Sequence, residues 1–186
     1  LYSDATQYKN VIDEFISKKK FMFSVNATDL LGHFEDQSKI RTIDIKKKLP
    51  FSLHIDLKNH IPTFLWNNMK VLNEHGEPIK YNTNNSNLII LEGPENLFVE
   101  VFNSYKLLNN LLKKKELNIS KLSLSNNGNW QLIVENFTEI NLGKKIDFIK
   151  INQVFLFFLD KGYDLSKIKR IDIRYPDGFS YAEGFR

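Results

Sequence analysis

The apolar residues of this 186-residue chain change their spacing part-way along, and that change limits the fold more than any other feature. Tyr8, Val11, Ile12, Phe15 and Ile16 recur at helical intervals and form one apolar stripe. A shorter helix is expected from Asn26 or Thr28, with Leu30, Leu31 and Phe34 turned inward. From Ile43 the period drops to two. Ile43 and Ile45, then Leu53, Ile55 and Leu57, alternate with polar residues, and Lys46–Lys48 with Pro50 read as the turn between them. Residues 1 to about 66 therefore give helix–helix–strand–strand. A two-stranded sheet is marginal alone, so a further strand before Leu1 is expected.

The remainder alternates strands with two longer helices. Short strands are expected at Pro62–Trp66, Val71–Leu72 and Ile79–Tyr81, with a turn around Gly76, and residues 82–87 read as a polar loop. Leu88–Leu91 is a short buried strand. Gly93 and Pro94 end it and open a helix whose apolar face carries Phe98, Val101, Phe102, Tyr105, Leu108 and Leu112. Leu122–Asn126, Trp130–Glu135 and Ile140–Leu142 follow as strands. Asn127-Gly128 between the first two is a hairpin signal. A last helix over Asp147–Leu159 turns Ile151, Val154, Phe155 and Phe158 inward. The chain closes with strands at Ile168–Tyr175 and Phe179–Ala182 about a Pro176-Asp177-Gly178 turn, in which Gly178 is expected to supply φ > 0. The fold class is α+β, in two domains at 1–66 and 67–186.

Composition removes several functions. There is no Cys, so disulfides, thiolate nucleophiles and Cys-based zinc or iron–sulfur sites are excluded. Net charge is +4, carried almost wholly by Lys, with Arg only at positions 41, 170, 174 and 186. Nucleic-acid readers favour Arg for its bidentate geometry, so the Lys runs read as solvated surface and no nucleic-acid partner is expected. His33, His54, His60 and His75 lack metal-pair spacing, and adjacent carboxylates such as Asp13–Glu14 and Glu35–Asp36 diverge rather than form an acid/base dyad. No phosphate-binding loop or nucleophile elbow occurs. Neither an enzyme nor a cofactor is expected. No stretch is apolar enough to span a membrane.

What remains is the C-terminal strand. A final strand tends to fall at a sheet edge, where unpaired N–H and C=O groups must be blunted or used. Phe179 and Tyr181 are large, and only Glu183 and Arg186 guard the end. Two readings stand: an ordinary edge whose aromatics pack inward, and a docking edge to which a partner adds a strand.

The run Ile168-Lys-Arg-Ile-Asp-Ile-Arg-Tyr-Pro-Asp-Gly-Phe-Ser180 resembles the C-terminal signature of the FtsQ/DivIB family of bacterial cell-division proteins. Trp130-Gln131-Leu132 with Ile140-Asn141-Leu142-Gly143 agrees in order and spacing. So does Pro50-x-x-Leu53-x-Ile55-x-Leu57, followed by Pro62, Trp66, the Asn73–Gly76 turn and Leu91-x-Gly93-Pro94. The resemblance covers nearly the whole chain. It implies an N-terminal POTRA domain (β-α-α-β-β, here lacking its first strand) at 1–66 and an FtsQ-type β domain at 67–186. It implies a non-enzymatic divisome scaffold in the periplasm at the septum, anchored in the inner membrane by a single upstream helix absent from this sequence. FtsB-like and FtsL-like proteins are the implied partners of the β domain, and an FtsK-like recruitment partner that of the POTRA domain. Carried onto this chain, the partner edge is Tyr175, Asp177, Gly178, Phe179, Ser180 and Tyr181, with Arg174 and Lys144 supplying charge for an acidic segment. Glu183 stands where the family often has Trp. The alternative is a POTRA-bearing component of outer-membrane protein transport or assembly, which would need tandem POTRA repeats or a barrel downstream.

Overall fold

The computed structural model describes residues 3–19, 24–34, 40–48, 52–81, 87–135 and 138–184. The expected turn at Pro50, the loop over 82–86, and Glu35, Asp36 and Arg186 lie outside the described residues. The elements are mixed α and β, and the chain divides into two compact units. One comprises Leu1–Pro62 with Val71–Ser86; the other comprises Thr63–Lys70 with Asn87–Arg186.

In the first unit, helix α1 (Ser3–Ser17) buries Phe15, and helix α2 (Ala27–Leu31) buries Leu30. Asn26 caps α2, its side-chain oxygen accepting from the Asp29 N–H at 2.7 Å, which satisfies one of the free N–H groups of the first turn. Strands β1 (Ile40–Lys48) and β2 (Ser52–Asn59) pair antiparallel, Ile43 opposite Leu57 and Ile45 opposite Ile55. Lys46–Lys48 therefore extend the strand instead of forming the turn. Lys46 sits opposite His54 and Lys48 opposite Ser52, so the ladder continues past the last apolar pair. The apolar faces of the hairpin and of α1 close over Phe15, Val25, Leu30 and Phe34.

The Val71–Ser86 part of this unit is organised by Asn73, which is fully buried. Its side-chain oxygen accepts from the His75 and Glu77 N–H groups, both at 2.9 Å. Its amide nitrogen donates to Glu77 Oε2 at 2.8 Å and faces His60 Nδ1 at 2.9 Å. The turn over Glu74–Gly76 thus stands on one side chain, aided by φ of 84° at Gly76. Ile79–Tyr81 forms no strand; Pro78 makes a single bridge to Leu72, and its missing N–H cannot extend a ladder.

Strand β3 (Pro62–Trp66), which lies in the second unit from Thr63 on, turns through Asn67 and Asn68, both with positive φ; β4 (Lys70–Asn73) follows and returns the chain to the first unit at Val71. The Asn67 side chain then binds Gly93 like a second backbone, donating to its carbonyl and accepting from its N–H, each at 3.0 Å. Next come β5 (Ile89–Glu92), α3 (Phe98–Lys113), β6 (Ile119–Leu124), β7 (Trp130–Val134), β8 (Thr138–Gly143), α4 (Phe148–Asp160), β9 (Ile168–Asp172) and β10 (Ser180–Glu183). The strands of the second unit run in the order β10-β9-β8-β7-β6-β5-β3. The β3/β5, β5/β6 and β8/β9 pairs are parallel, and β6/β7, β7/β8 and β9/β10 antiparallel.

The register aligns Leu91, Leu122, Leu132, Ile140 and Ile171 in one row across five strands, all buried. Burying each such side chain contributes about 1.5–3 kcal/mol. The neighbouring row on the other face is half-buried and ion-paired: Lys121 meets Glu92 at 2.7 Å, and Arg170 meets Glu139 at 3.4 Å. Helix α4 buries Ile151, Val154, Phe155 and Phe158, the four residues its periodicity selects, and Asp147 caps it.

Candidate docking edge

Strand β10 is the last in the sheet order, and all four of its residues are exposed. Ser180 lies opposite Asp172, Tyr181 opposite Ile171 and Ala182 opposite Arg170, with an irregularity before Glu183. Among the described residues no strand pairs with its outer side. The inner side is firmly seated. Tyr181 extends the buried row past Ile171 and meets Phe158 edge-on at 5.3 Å. Phe179, on the same face two residues earlier, meets Phe157 at 5.3 Å and Phe158 at 5.6 Å.

The approach to β10 is shaped by the segment after β9. Ile173 keeps one ladder bond, its N–H donating to the Asn141 carbonyl at 3.1 Å, and the chain then leaves the sheet. Lys150, in the first turn of α4, donates to the Tyr175 carbonyl and ties that departure to the helix. Tyr175 is left 53% exposed. Gly178 is not among the glycines with positive φ, which are Gly76, Gly128, Gly143 and Gly162, so the Pro176–Gly178 turn does not use the left-handed conformation expected of it.

Lys144, Lys145, Lys150, Arg174 and Tyr175 line a groove of about 490 Å³. A neighbouring groove of about 390 Å³ lies between Ile149 and Gln153 of α4 and Asp177–Phe179. Of the residues singled out from the sequence, Lys144, Arg174 and Tyr175 come together in the first groove, and Asp177, Gly178 and Phe179 in the second. Ser180, Tyr181 and Glu183 stand on the strand itself. Arg174 is not a free cation: it holds Asp172 in a two-pronged pair. Lys145, Lys150 and Asp172 were not read from the sequence as part of this region. Lys150 carried one signal, its place three residues after the capping Asp147.

Elsewhere, no group of three His, Asp or Glu among the described residues is arranged to hold a metal ion, and no described helix is long and apolar enough to cross a membrane.

The sequence that builds this sheet from β3 to the end of β9 matches known proteins. The family model for "Cell division protein FtsQ/DivIB, C-terminal" matches residues 64–174, more than half of the chain. The chain belongs to the FtsQ/DivIB family of cell-division proteins. It is 26% identical over 167 residues to the cell division protein FtsQ of Coxiella burnetii, covering 85% of this chain and 66% of that protein. It is 26% identical over 174 residues to the Actinobacillus pleuropneumoniae protein of that name, covering 90% and 76%. With Escherichia coli FtsQ it shares 23% over 146 residues, covering 75% and 53%. The chain spans a little under two thirds of the length of the first of these relatives.

Proposed function

We propose that this chain is the periplasmic part of a non-enzymatic division scaffold that captures an extended segment of an FtsB-like partner along the outer side of β10. The observation that carries the reading is the contrast between the two sides of this strand. One side is laddered to β9, with Tyr181 packed on Phe158; no described strand pairs with the other, and all four residues are exposed. Main-chain pairing to such an edge needs little sequence, and adjacent pockets select the side chains. The Lys144–Lys145–Lys150 groove suits an acidic partner segment, and Arg174 contributes through whatever its pairing with Asp172 leaves exposed. Tyr175, Asp177, Gly178, Phe179, Ser180, Tyr181 and Glu183 make up the remaining contact surface.

An FtsL-like protein accompanies that partner. Residues 1–66 act as a POTRA domain completed by an upstream strand, and meet an FtsK-like recruitment partner. A helix upstream of the sequence anchors the whole in the inner membrane at the septum.

Replacing Ser180 by Pro tests the reading. The ladder turns the Ser180 N–H toward Asp172 of β9, so Pro removes a bond that seats the edge and bends the backbone a partner would pair with. Binding of a synthetic FtsB-like periplasmic segment, followed by calorimetry, is expected to be lost while the circular dichroism spectrum and melting temperature hold. Unchanged affinity would sink the proposal. Should Ser180→Pro disturb the fold, the exposed Tyr175→Ala serves as the second variant under the same criterion.

A further inference from the structure

The short strand β10 is held by more than its ladder. Helix α4 ends with Gly162 at φ 67°, its N–H donating to the Leu159 carbonyl at 3.0 Å, and the Tyr163 N–H donating to the Phe158 carbonyl at 2.9 Å. That bonding pattern is a Schellman cap, with Gly162 as the left-handed residue and Tyr163 directly after it. The hydrophobic contact that accompanies such caps is present: the Tyr163 ring packs edge-on against Phe158 at 5.6 Å. It also stacks near Phe157 at 6.1 Å. From there the Tyr163 hydroxyl reaches that of Tyr181 on β10, with oxygens 3.3 Å apart and rings 5.9 Å apart. The hydrogen bond from Tyr163 raises the Tyr181 phenol above its ordinary ionisation range.

We infer that Tyr163, set in place by the Gly162 cap, is a positioning residue for the docking edge: its hydroxyl holds Tyr181 and so keeps β10 against β9 before any partner arrives. The inference rests on the reading of β10 as that edge. The physical reason is local. A four-residue terminal strand with an irregular end has few ladder bonds and belongs to the low-stability end of the molecule. A partner that adds to a strand already in place does not also have to order it. The partner is thus one that recognises a preformed edge, not a segment that rebuilds β10 as it binds.

Gly162 makes the device testable without a clash, because a Cβ there would meet nothing within 4 Å, leaving backbone strain as the sole effect. Tyr163→Phe keeps the ring and the cap and removes only the oxygen. Amide hydrogen exchange of Ala182, whose N–H the ladder turns toward β9, is expected to quicken in that variant by about three- to tenfold, the range one modest hydrogen bond supports. The amide of Leu132, at the sheet centre, is expected to keep its rate. Gly162→Ala is expected to act in the same direction, and Gly162→Asn to restore the rate, since Asn tolerates the left-handed conformation. Affinity for the FtsB-like segment is expected to fall by a similar factor in Tyr163→Phe. Unchanged exchange at Ala182, or equal quickening at Leu132, overturns the positioning role whether or not the segment binds. A wild-type chain that ignores the segment, while β10 exchange still depends on Tyr163, overturns the docking reading and supports the positioning one.

Discussion

The Arg174 guanidinium grips the Asp172 carboxylate two residues earlier in the chain, Nε donating at 2.9 and 3.1 Å and Nη2 at 2.6 Å. The Arg174 N–H adds a fourth bond at 3.1 Å. Side chains two apart on a strand share a face, so the pair forms where β9 leaves the sheet and its spacing alone permits it. It puts a rigid, self-neutralised group at the mouth of the basic groove, and the lysines there carry the net charge.

Hydrogen bonding from Arg174 holds the Asp172 carboxyl below its ordinary range, against the opposing effect of burial. A carboxylate with a depressed folded pKa stabilises the fold above its unfolded pKa of about 3.9, and that stability is lost as pH falls through the folded value. Asp172→Asn should therefore lower unfolding free energy at neutral pH by about 1.5–3 kcal/mol. The gap between variant and wild type, measured by urea titration, should narrow below about pH 4.

Gly143 sits under the same arginine. Its φ is +82°, and a Cβ there would lie 3.1 Å from the Arg174 Cγ. Gly128 has a similar φ of +77° but open space around it. Gly128→Ala should cost about 1–2 kcal/mol for the left-handed backbone alone. Gly143→Ala should cost more, and the difference in melting temperature between them isolates the contact with Arg174.

Asn73 should tolerate almost nothing. Asn73→Leu removes the acceptor for the N–H groups of His75 and Glu77 in a partly exposed turn, at about 1 kcal/mol for each hydrogen bond lost. Asn73→Asp keeps the acceptor but sets a second carboxylate oxygen against Glu77 Oε2, 2.8 Å from the present amide nitrogen. It should also destabilise, and less so in high salt. Denaturant titrations at two ionic strengths measure both.

Tyr175→Ala should separate docking from stability. The residue is mostly exposed, and the bond from Lys150 goes to the backbone carbonyl, which the substitution keeps. The melting free energy should stay within about 0.5 kcal/mol. Affinity for the partner segment should drop by about tenfold or more, as for a central aromatic anchor. A drop in stability without a drop in affinity would reverse the assignment.

Much of this was readable in one dimension. Periodicity picked the four buried residues of α4, and the alternation of β1, β2 and β7 put their apolar residues on one face, because these signals are local and burial only confirms them. Local signals also misled. Lys46–Lys48 look like a turn by charge, yet pairing with His54 and Ser52 keeps them in β1. Ile79–Tyr81 look like a strand by composition, yet Pro78 leaves a single bridge. Gly178 looks like a left-handed turn residue, and that conformation falls instead to Gly76, Gly128, Gly143 and Gly162.

The sequence by itself determined the two kinds of element, the family signature from Ile168 to Ser180, and the absence of any thiol chemistry. It could place a strand at the end of the chain, because turn residues and alternation are properties of neighbours. The tertiary structure alone decided that this strand is the sheet edge, and that Tyr163 meets Tyr181 from 18 residues away. Those relationships depend on strand order and on where a helix stops, and they exist only once distant segments share one core.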